Sequence, residues 1–288
     1  MPVGAGALPG DSHVHSEWSW DAGAGSMAGS CARAVQLGLP SIAFTEHAEF
    51  TRPTIAPRHR ALIGRTHLRH LRPDGVFAPP ELDLAGYLDG VRRCRERFPR
   101  LRVLTGVELS EPHWHPEPTA ALLAAAHIDR ALGSVHALHG PRAARPVDML
   151  FPDRPALDVL RDYLAEVLAL VESPAPFHVL AHVDYAARYW PAAAGPLRPA
   201  DFEDELRAVL RALAASGRAL EINTKLPLAP SIVLWWVDCG GERVSFGSDA
   251  HRPDRVGHGF AEAADAACAA GFRPDRDPVD LWWRPVRS

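Results

Sequence analysis

Hydrophobic positions along the chain fall into two alternating textures. Short runs rich in Val, Ile, Leu and Phe, bounded by turn residues, recur at 12–17, 41–45, 103–109, 128–135, 177–182, 220–224 and 244–247 and read as buried strands. Between them, apolar residues spaced by three and four predict helices over 27–37, 82–98, 119–127, 156–171, 201–215, 231–238 and 261–270. Gly38, Pro99, Ser216-Gly217 and Gly271 follow four of these stretches, where helices stop. Seven strands alternating with seven helices predict an α/β fold with a parallel sheet, favouring a barrel. A doubly wound open sheet would show the same alternation. No repeat and no linker interrupts the pattern, so a single domain over 1–288 is expected. Two long segments, 48–81 and 137–155, are rich in Arg and Pro and read as insertions over one face.

Composition narrows the function classes. The chain is 47% apolar and 23% charged, enough for a sizeable core. The net charge of −4 lacks the basic excess of a nucleic-acid binder, so no nucleic acid is expected as a stable partner. The four cysteines are scattered with no C-x-x-C pair, which supports neither a disulfide scaffold nor a cysteine zinc site. Residues 1–10 do not read as a secretory leader, and no apolar run reaches membrane-spanning length. The expectation is a cytoplasmic protein without membrane contact, a monomer or small homo-oligomer. Lys225 is the only lysine and Asn223 the only asparagine, as GC-rich codon usage would produce. Arginine abundance alone therefore does not indicate phosphate binding.

The fifteen histidines are informative through their positions. His13 and His15 form an i, i+2 pair on the first strand, with both imidazoles on one face. Asp21 follows six residues later. The second strand runs into Thr45-Glu46-His47 and the third into Gly106-Val107-Glu108. The fourth ends Gly133-Ser134-Val135-His136 and the fifth Leu180-Ala181-His182. The last ends Gly247-Ser248-Asp249-Ala250-His251. In a parallel α/β fold these strand ends gather on one face, where such proteins hold their sites. One such histidine is weak evidence; the repetition at strand ends is strong. Imidazole and carboxylate without thiolate suit Zn, Mn or Fe, and the number of donors calls for two or three divalent ions. Phosphate-binding P-loop, Gly-x-Ser-x-Gly and H-E-x-x-H patterns are absent.

These residues resemble the polymerase and histidinol phosphatase (PHP) superfamily. The similarity rests on Asp11-Ser12-His13-Val14-His15, Thr45-Glu46-His47, Gly106-Val107-Glu108, Gly133-Ser134-Val135-His136, His182 and Gly247-Ser248-Asp249-Ala250-His251. It covers a core of about 11–259, leaving 260–288 as a C-terminal tail. The resemblance implies a distorted (β/α)7 barrel with a metal site at the C-terminal ends of its strands. Carried over by position, one metal would take His13, His15, Glu108 and Asp249. A second would take Glu108, His136 and His182, and a third Asp21, His47 and His251. Glu108 would be the bridging carboxylate that positions a metal hydroxide. Glu17 competes with Asp21 for its place.

Within the superfamily the chain is most similar to stand-alone histidinol-phosphate phosphatases, through Glu221-Ile222-Asn223-Thr224 and His182-Val183-Asp184 followed by Arg188. The implied reaction is hydrolysis of a small phosphate monoester, with histidinol phosphate leading. A metal-bridging hydroxide would attack phosphorus at a trinuclear site. Arg188 is the first substrate-binding candidate, followed by Arg154, with Lys225 also placed to meet substrate. Two departures bear on the substrate: Leu109-Ser110-Glu111-Pro112-His113-Trp114-His115 after Glu108, and Lys225-Leu226-Pro227 after Thr224. His113 and His115 either reach the site or only decorate a loop. The arginines of the two insertions suggest either an anionic-substrate funnel or an exposed loop. The alternatives are a family phosphoesterase acting on another ester, nucleotide or phosphodiester, and a non-catalytic metal-binding module.

Overall fold

The computed structural model of the protein describes residues 8–275 and 280–285. The reading of the N-terminus as no leader falls, for residues 1–7, outside the described residues, as do parts of the tail. All seven expected strands form: β1 (Asp11–Val14), β2 (Ser41–Glu49), β3 (Arg102–Ser110), β4 (Arg130–Ser134), β5 (Val179–Leu180), β6 (Ala219–Asn223) and β7 (Arg243–Gly247). They lie side by side in chain order and are parallel throughout. After each comes a helix: α1 (Met27–Leu37), α2 (Leu84–Arg97), α3 (Pro116–Ala125), α4 (Ala156–Glu172), α5 (Glu203–Ala215), α6 (Pro230–Asp238) and α7 (Phe260–Ala269).

Local chemistry sets these elements. Ser26 caps α1 by accepting the Gly29 amide, and Gly38 takes the left-handed φ of 72° that ends the helix. In α4, Val159, Leu160, Tyr163, Leu164, Val167, Leu170 and Val171 are buried at helical spacing, which fixes the face turned to the sheet. Register partners Leu132, Val179 and Ala219 join Ala181 and Leu281 in a separate small cluster, on the sheet face away from the helices. This cluster packs the interior beneath the strand ends.

The ring closes where β7 meets β1. Beyond the end of β7, the Asp249 amide donates to His13 O and the His15 amide to Ala250 O, both at 2.8 Å, and Val14 and Ala250 form a parallel bridge. The beginning of β7 instead carries an antiparallel strand from the tail, β9 (Leu281–Trp283), which pairs in turn with β8 (Arg273–Pro274). This wedge and the two-residue β5 account for the distortion. The tail is thus part of the sheet, with Trp282 buried and Trp283 43% exposed. Asp280, just before β9, receives Arg130 in a two-point ion pair at 2.7 and 2.8 Å and also the Ser12 hydroxyl. This contact seals the N-terminal end of the barrel.

Strand β2 runs four residues past its expected end. It pairs with β3 along its whole length, so His47 faces Glu108 and Glu49 faces Ser110 in register. The two insertions dock on each other: Thr54 donates to Ala144 O, and Asp153 receives Arg58, His59 and Arg145.

Candidate metal centre

At the C-terminal ends of the strands the structure brings together all nine expected donors. Glu108 stands at the centre, 1% exposed. Its Oε2 lies 3.4 Å from His13 Nε2, 3.5 Å from His15 Nε2 and 3.1 Å from His47 Nδ1. Its Oε1 lies 2.8 Å from His182 Nε2 and 3.2 Å from His136 Nε2. Asp21 bridges His251 at 2.8 Å and His47 at 3.2 Å. Asp249 sits 3.6 Å from His15 and 3.5 Å from His251. Glu17 instead accepts the Met27 amide at the start of α1, so it does not displace Asp21.

Four trios of donors are each compact enough to hold a metal ion: His15, His47 and His251; His13, His182 and Asp249; His13, His15 and Glu108; His47, Glu108 and His136. These overlap the three expected sets without coinciding with them, because His47 approaches Glu108 as closely as it approaches Asp21.

Hydrogen bonds behind the donors fix which nitrogens face inward. His13 Nδ1 donates to Glu221 Oε1 at 2.7 Å, leaving the Nε2 lone pair toward the centre. His15 Nδ1 donates to Ser19 Oγ at 3.0 Å, and that hydroxyl donates to Glu46 at 2.5 Å. The two Nε2 atoms then face one another at 3.1 Å with Glu108 Oε2 beside them. Acceptors converging in a buried space require positive charge among them, and imidazole backed by carboxylate is a metal-ligand arrangement. The donor set therefore fits divalent ions.

The electrostatics are strongly coupled. Burial alone would push Glu108 up, but His13, His136 and His47 hold its carboxyl well below the usual range. Burial, reinforced by His47, His251 and His13, holds His15 well below its ordinary value. Burial brings His182 down to about 4. Burial likewise disfavours charge on His136, yet Glu108 and Glu49 raise it to about 10. His182 (φ 22°), Asp249 (φ 51°) and Glu111 (φ 45°) adopt left-handed backbone without being glycine, a conformation that clusters at functional sites. Gly247 lets Glu221 reach His13, because a Cβ there would overlap the Glu221 carboxylate and the His13 Cβ.

Further residues complete the site. Arg188 Nη1 contacts Asp249 at 2.7 Å and its Nη2 donates to Asn223 Oδ1. Lys225 Nζ reaches Asp249 at 2.9 Å. Both line a cleft of about 830 Å³ above the donors, together with Trp20, Phe77, Asp148, Tyr185 and Tyr189. Arg154 does not: it pairs with Asp162 in the second turn of α4 and is absent from the lining, so it stands outside the expected substrate contacts. None of the insertion arginines lines the cleft. Arg58 and Arg145 are spent on Asp153, and Arg52 on Glu49 O. His113 is bound to Glu166 and His115 to Thr51.

Sequence reasoning missed the supporting carboxylates as site residues. Glu221 and Glu46 back the histidines, and Glu49 contacts His136 and His47. Glu111 accepts the His136 and Ala137 amides and the Thr51 hydroxyl. Burial raises Glu111 to about 7. Their proximity to the histidine motifs was the only signal available.

Comparison with known proteins follows the same line. The family model for the PHP domain matches residues 11–225. The chain is 25% identical over 270 residues to a histidinol-phosphatase of Lactococcus lactis, covering 91% of each. It is 36% identical over 118 residues to a probable histidinol-phosphatase of Thermotoga maritima, covering 38% of this chain and 47% of that protein. Among solved structures, histidinol phosphate phosphatase from Lactococcus lactis, complexed with zinc, L-histidinol and phosphate, superposes with a TM-score of 0.77. Identity there is 23%, over 93% of this chain and 95% of that one. The putative histidinol phosphatase of Listeria monocytogenes gives 0.73 at 16% identity, over 88% and 99%. At these identities the structural likeness establishes the fold.

Proposed function

The chain belongs to the PHP domain family, and from that premise we propose that it is a metal-dependent phosphomonoesterase whose substrate is histidinol phosphate. The observation that carries the reading is Glu108, a buried carboxylate within 3.5 Å of ring nitrogens from five histidines: His13, His15, His47, His136 and His182. The full-length similarity to the Lactococcus histidinol-phosphatase supports the substrate. The zinc, L-histidinol and phosphate in its structure support zinc as the metal.

His13, His15, Glu108 and Asp249 are proposed to hold one ion, Glu108, His136 and His182 a second, and Asp21, His47 and His251 a third. Such ions supply Lewis-acid stabilisation of phosphoryl charge and activation of water at neutral pH. The chain's own residues do the rest. Glu221 and the Ser19–Glu46 pair hold the His13 and His15 rings with Nε2 inward. Arg188 offers a planar guanidinium to phosphoryl oxygens from a position already aligned by Asp249 and Asn223. Lys225 adds a second cation beside it. Trp20, Phe77 and Ile63 from the surrounding loops line the cleft and reduce water access. The reading treats barrel and tail as one domain, supported by the pairing of β9 with β7.

The test is phosphate release from histidinol phosphate by metal-reconstituted protein, beside sugar phosphates, nucleotides and a chromogenic diester, with Glu108→Ala and His136→Ala as controls. Strong preference for histidinol phosphate, lost in both variants, is expected. Metal-dependent hydrolysis of another ester alone would overturn the substrate, and silence across the panel with metals bound would overturn the enzymatic reading.

A further inference from the structure

Asp21 is held differently from the donors around it. His13 is braced by Glu221, His15 by Ser19, and His136 by Ser110 and Glu49, while His47 and Glu108 lie in paired strands. Asp21 stands in a turn. It presents Oδ2 to both His47 and His251, and its Oδ1 is buried with no hydrogen-bond partner among the described residues. Its aim is therefore set by its backbone, and by whatever holds that backbone in place.

The backbone from Ser16 to Gly25 folds as three successive tight turns. The Ser19, Ala22 and Gly25 amides donate to Ser16 O, Ser19 O and Ala22 O at 3.0, 3.2 and 2.7 Å, with Asp21 inside the second turn. Gly25 closes the segment on its own start: a Cβ there would fall 2.6 Å from the Ser16 carbonyl carbon and 2.9 Å from Glu17 N. A loop packed on itself in this way behaves as one unit. Ser19 ties the unit to the strand ends through His15, Glu46 and the His47 amide.

Trp18 ties the same unit to the helices. Its indole lies in a groove between α1 and α2, cut by two glycines one helical turn apart. A Cβ on Gly86 would stand 2.4 Å from the indole Cη2 and Cζ3. One on Gly90 would stand 3.0 Å from Nε1 and 3.3 Å from Met27 Sδ of α1. Glycine weakens a helix relative to alanine, yet both positions carry it where the indole needs room. The indole Nε1 has no hydrogen-bond partner among the described residues, so shape and apolar contact hold the ring.

We propose that Trp18, seated in the Gly86–Gly90 groove, is the positioning residue for Asp21 and sets the affinity of the ion held by Asp21, His47 and His251. Held by Ser19 alone, the unit would pivot about one attachment; the indole supplies the second. The donor sets of the other two ions take no residue from Ser16–Gly25, so the effect is confined to one ion. This rests on the metal assignment proposed above and adds what aligns its one ligand outside the strand ends.

The test reads zinc content and zinc affinity, by competition with a chromogenic chelator, in the wild type, Asp21→Ala, Trp18→Ala and Gly86→Ala. Trp18→Ala should hold the third equivalent roughly tenfold more weakly, as for a lost outer contact, and keep the other two. Higher free zinc should restore it, whereas Asp21→Ala, which lacks the ligand itself, should not recover. Gly86→Ala favours the helix but displaces the indole, so it should weaken the same equivalent. Adding Trp18→Phe, whose smaller ring lacks the atoms the new methyl meets, should rescue part of that loss; general loosening would instead worsen it. If Trp18→Ala fails to fold, Gly86→Ala and its rescue decide. A third equivalent unchanged in the Trp18 and Gly86 variants, or all equivalents weakened together, would overturn the positioning role and leave the metal reading intact. A wild type that binds only two equivalents, with Asp21→Ala no different, would overturn the third ion and the proposal with it.

Discussion

The Glu221 carboxylate lies 2.7 Å from Nδ1 of His13, on a strand two-thirds of the barrel away in sequence, and both side chains are fully buried. The same carboxylate accepts the His182 amide at 2.7 Å and the Asn223 amide group at 3.0 Å. It thereby fixes two expected ligands at once. Outer-shell carboxylates of this kind typically carry about a 10- to 100-fold effect on metal affinity. Glu221→Gln should therefore bind metal about tenfold or more weakly in a chelator competition, with an unchanged circular dichroism spectrum. Unaltered affinity would show that the contact only packs the barrel.

Arg188 and Arg154 separate by environment. Arg188 is mostly buried against Asp249 and Asn223 beside the centre. Burial opposes its charge, yet Asp249 holds the guanidinium above its ordinary value. Arg154 is paired with Asp162, whose side chain is 55% exposed. Arg188→Lys should lower kcat/KM on a phosphate monoester by about tenfold or more, because lysine cannot reproduce the planar two-point geometry. Arg154→Ala should stay within about twofold. Steady-state kinetics on both variants would check this, and the reverse order would restore Arg154 to the site.

Eight of the nine donors were legible because they lie at or just past the C-terminal ends of strands, which in a parallel fold share one face, whereas Asp21 lies in the turn after β1 and was legible only through the family resemblance. The helices were legible for similar reasons: Met27–Leu37 has a serine cap, a glycine stop and one apolar face. What remained hidden was lateral. Glu49 contacts His136 because β2 continues in register with β3 past Thr45, and register is not written in hydrophobic periodicity. Glu221 and Glu111 look like any acid beside a strand until the neighbouring strands are in place. The tail strand was missed because Leu281-Trp282-Trp283 is short and gains its meaning only from the free side of β7.

Asp129 gives a pH prediction remote from the metal donors. Burial pushes its carboxyl upward, but the Thr105 amide at 2.9 Å, the Thr105 hydroxyl at 2.8 Å and Arg95 at 3.0 Å hold it below its ordinary value. A depressed carboxyl favours the folded state above its unfolded value, and the advantage is lost as pH falls through the folded one. Thermal melts of wild type and Asp129→Asn should differ near neutral pH, with the wild type higher. The gap should close below about pH 4, the usual unfolded value. A gap that stays constant down to pH 3 would mean that the hydrogen bonds do not depend on charge.

The Arg130–Asp280 pair makes the tail part of the fold. Both side chains are buried, at 7% and 1% exposure. The pair is bidentate, and Ser12 adds a third contact to Asp280. Removing one partner leaves the other charge buried without compensation, a loss of about 3 kcal/mol or more. For a chain of this size that corresponds to a fall in Tm on the order of 10 °C. Asp280→Ala should show it, and Asp280→Asn, which keeps the shape but not the charge, should fall between. Arg130 stands opposite Gly106, two residues before the level of Glu108, and neither partner of the pair contacts a metal donor in the salt bridges and hydrogen bonds it makes, so the folded fraction of either variant should retain the wild-type metal content well below its melting temperature. Metal loss without a drop in Tm would instead tie the tail to the centre itself.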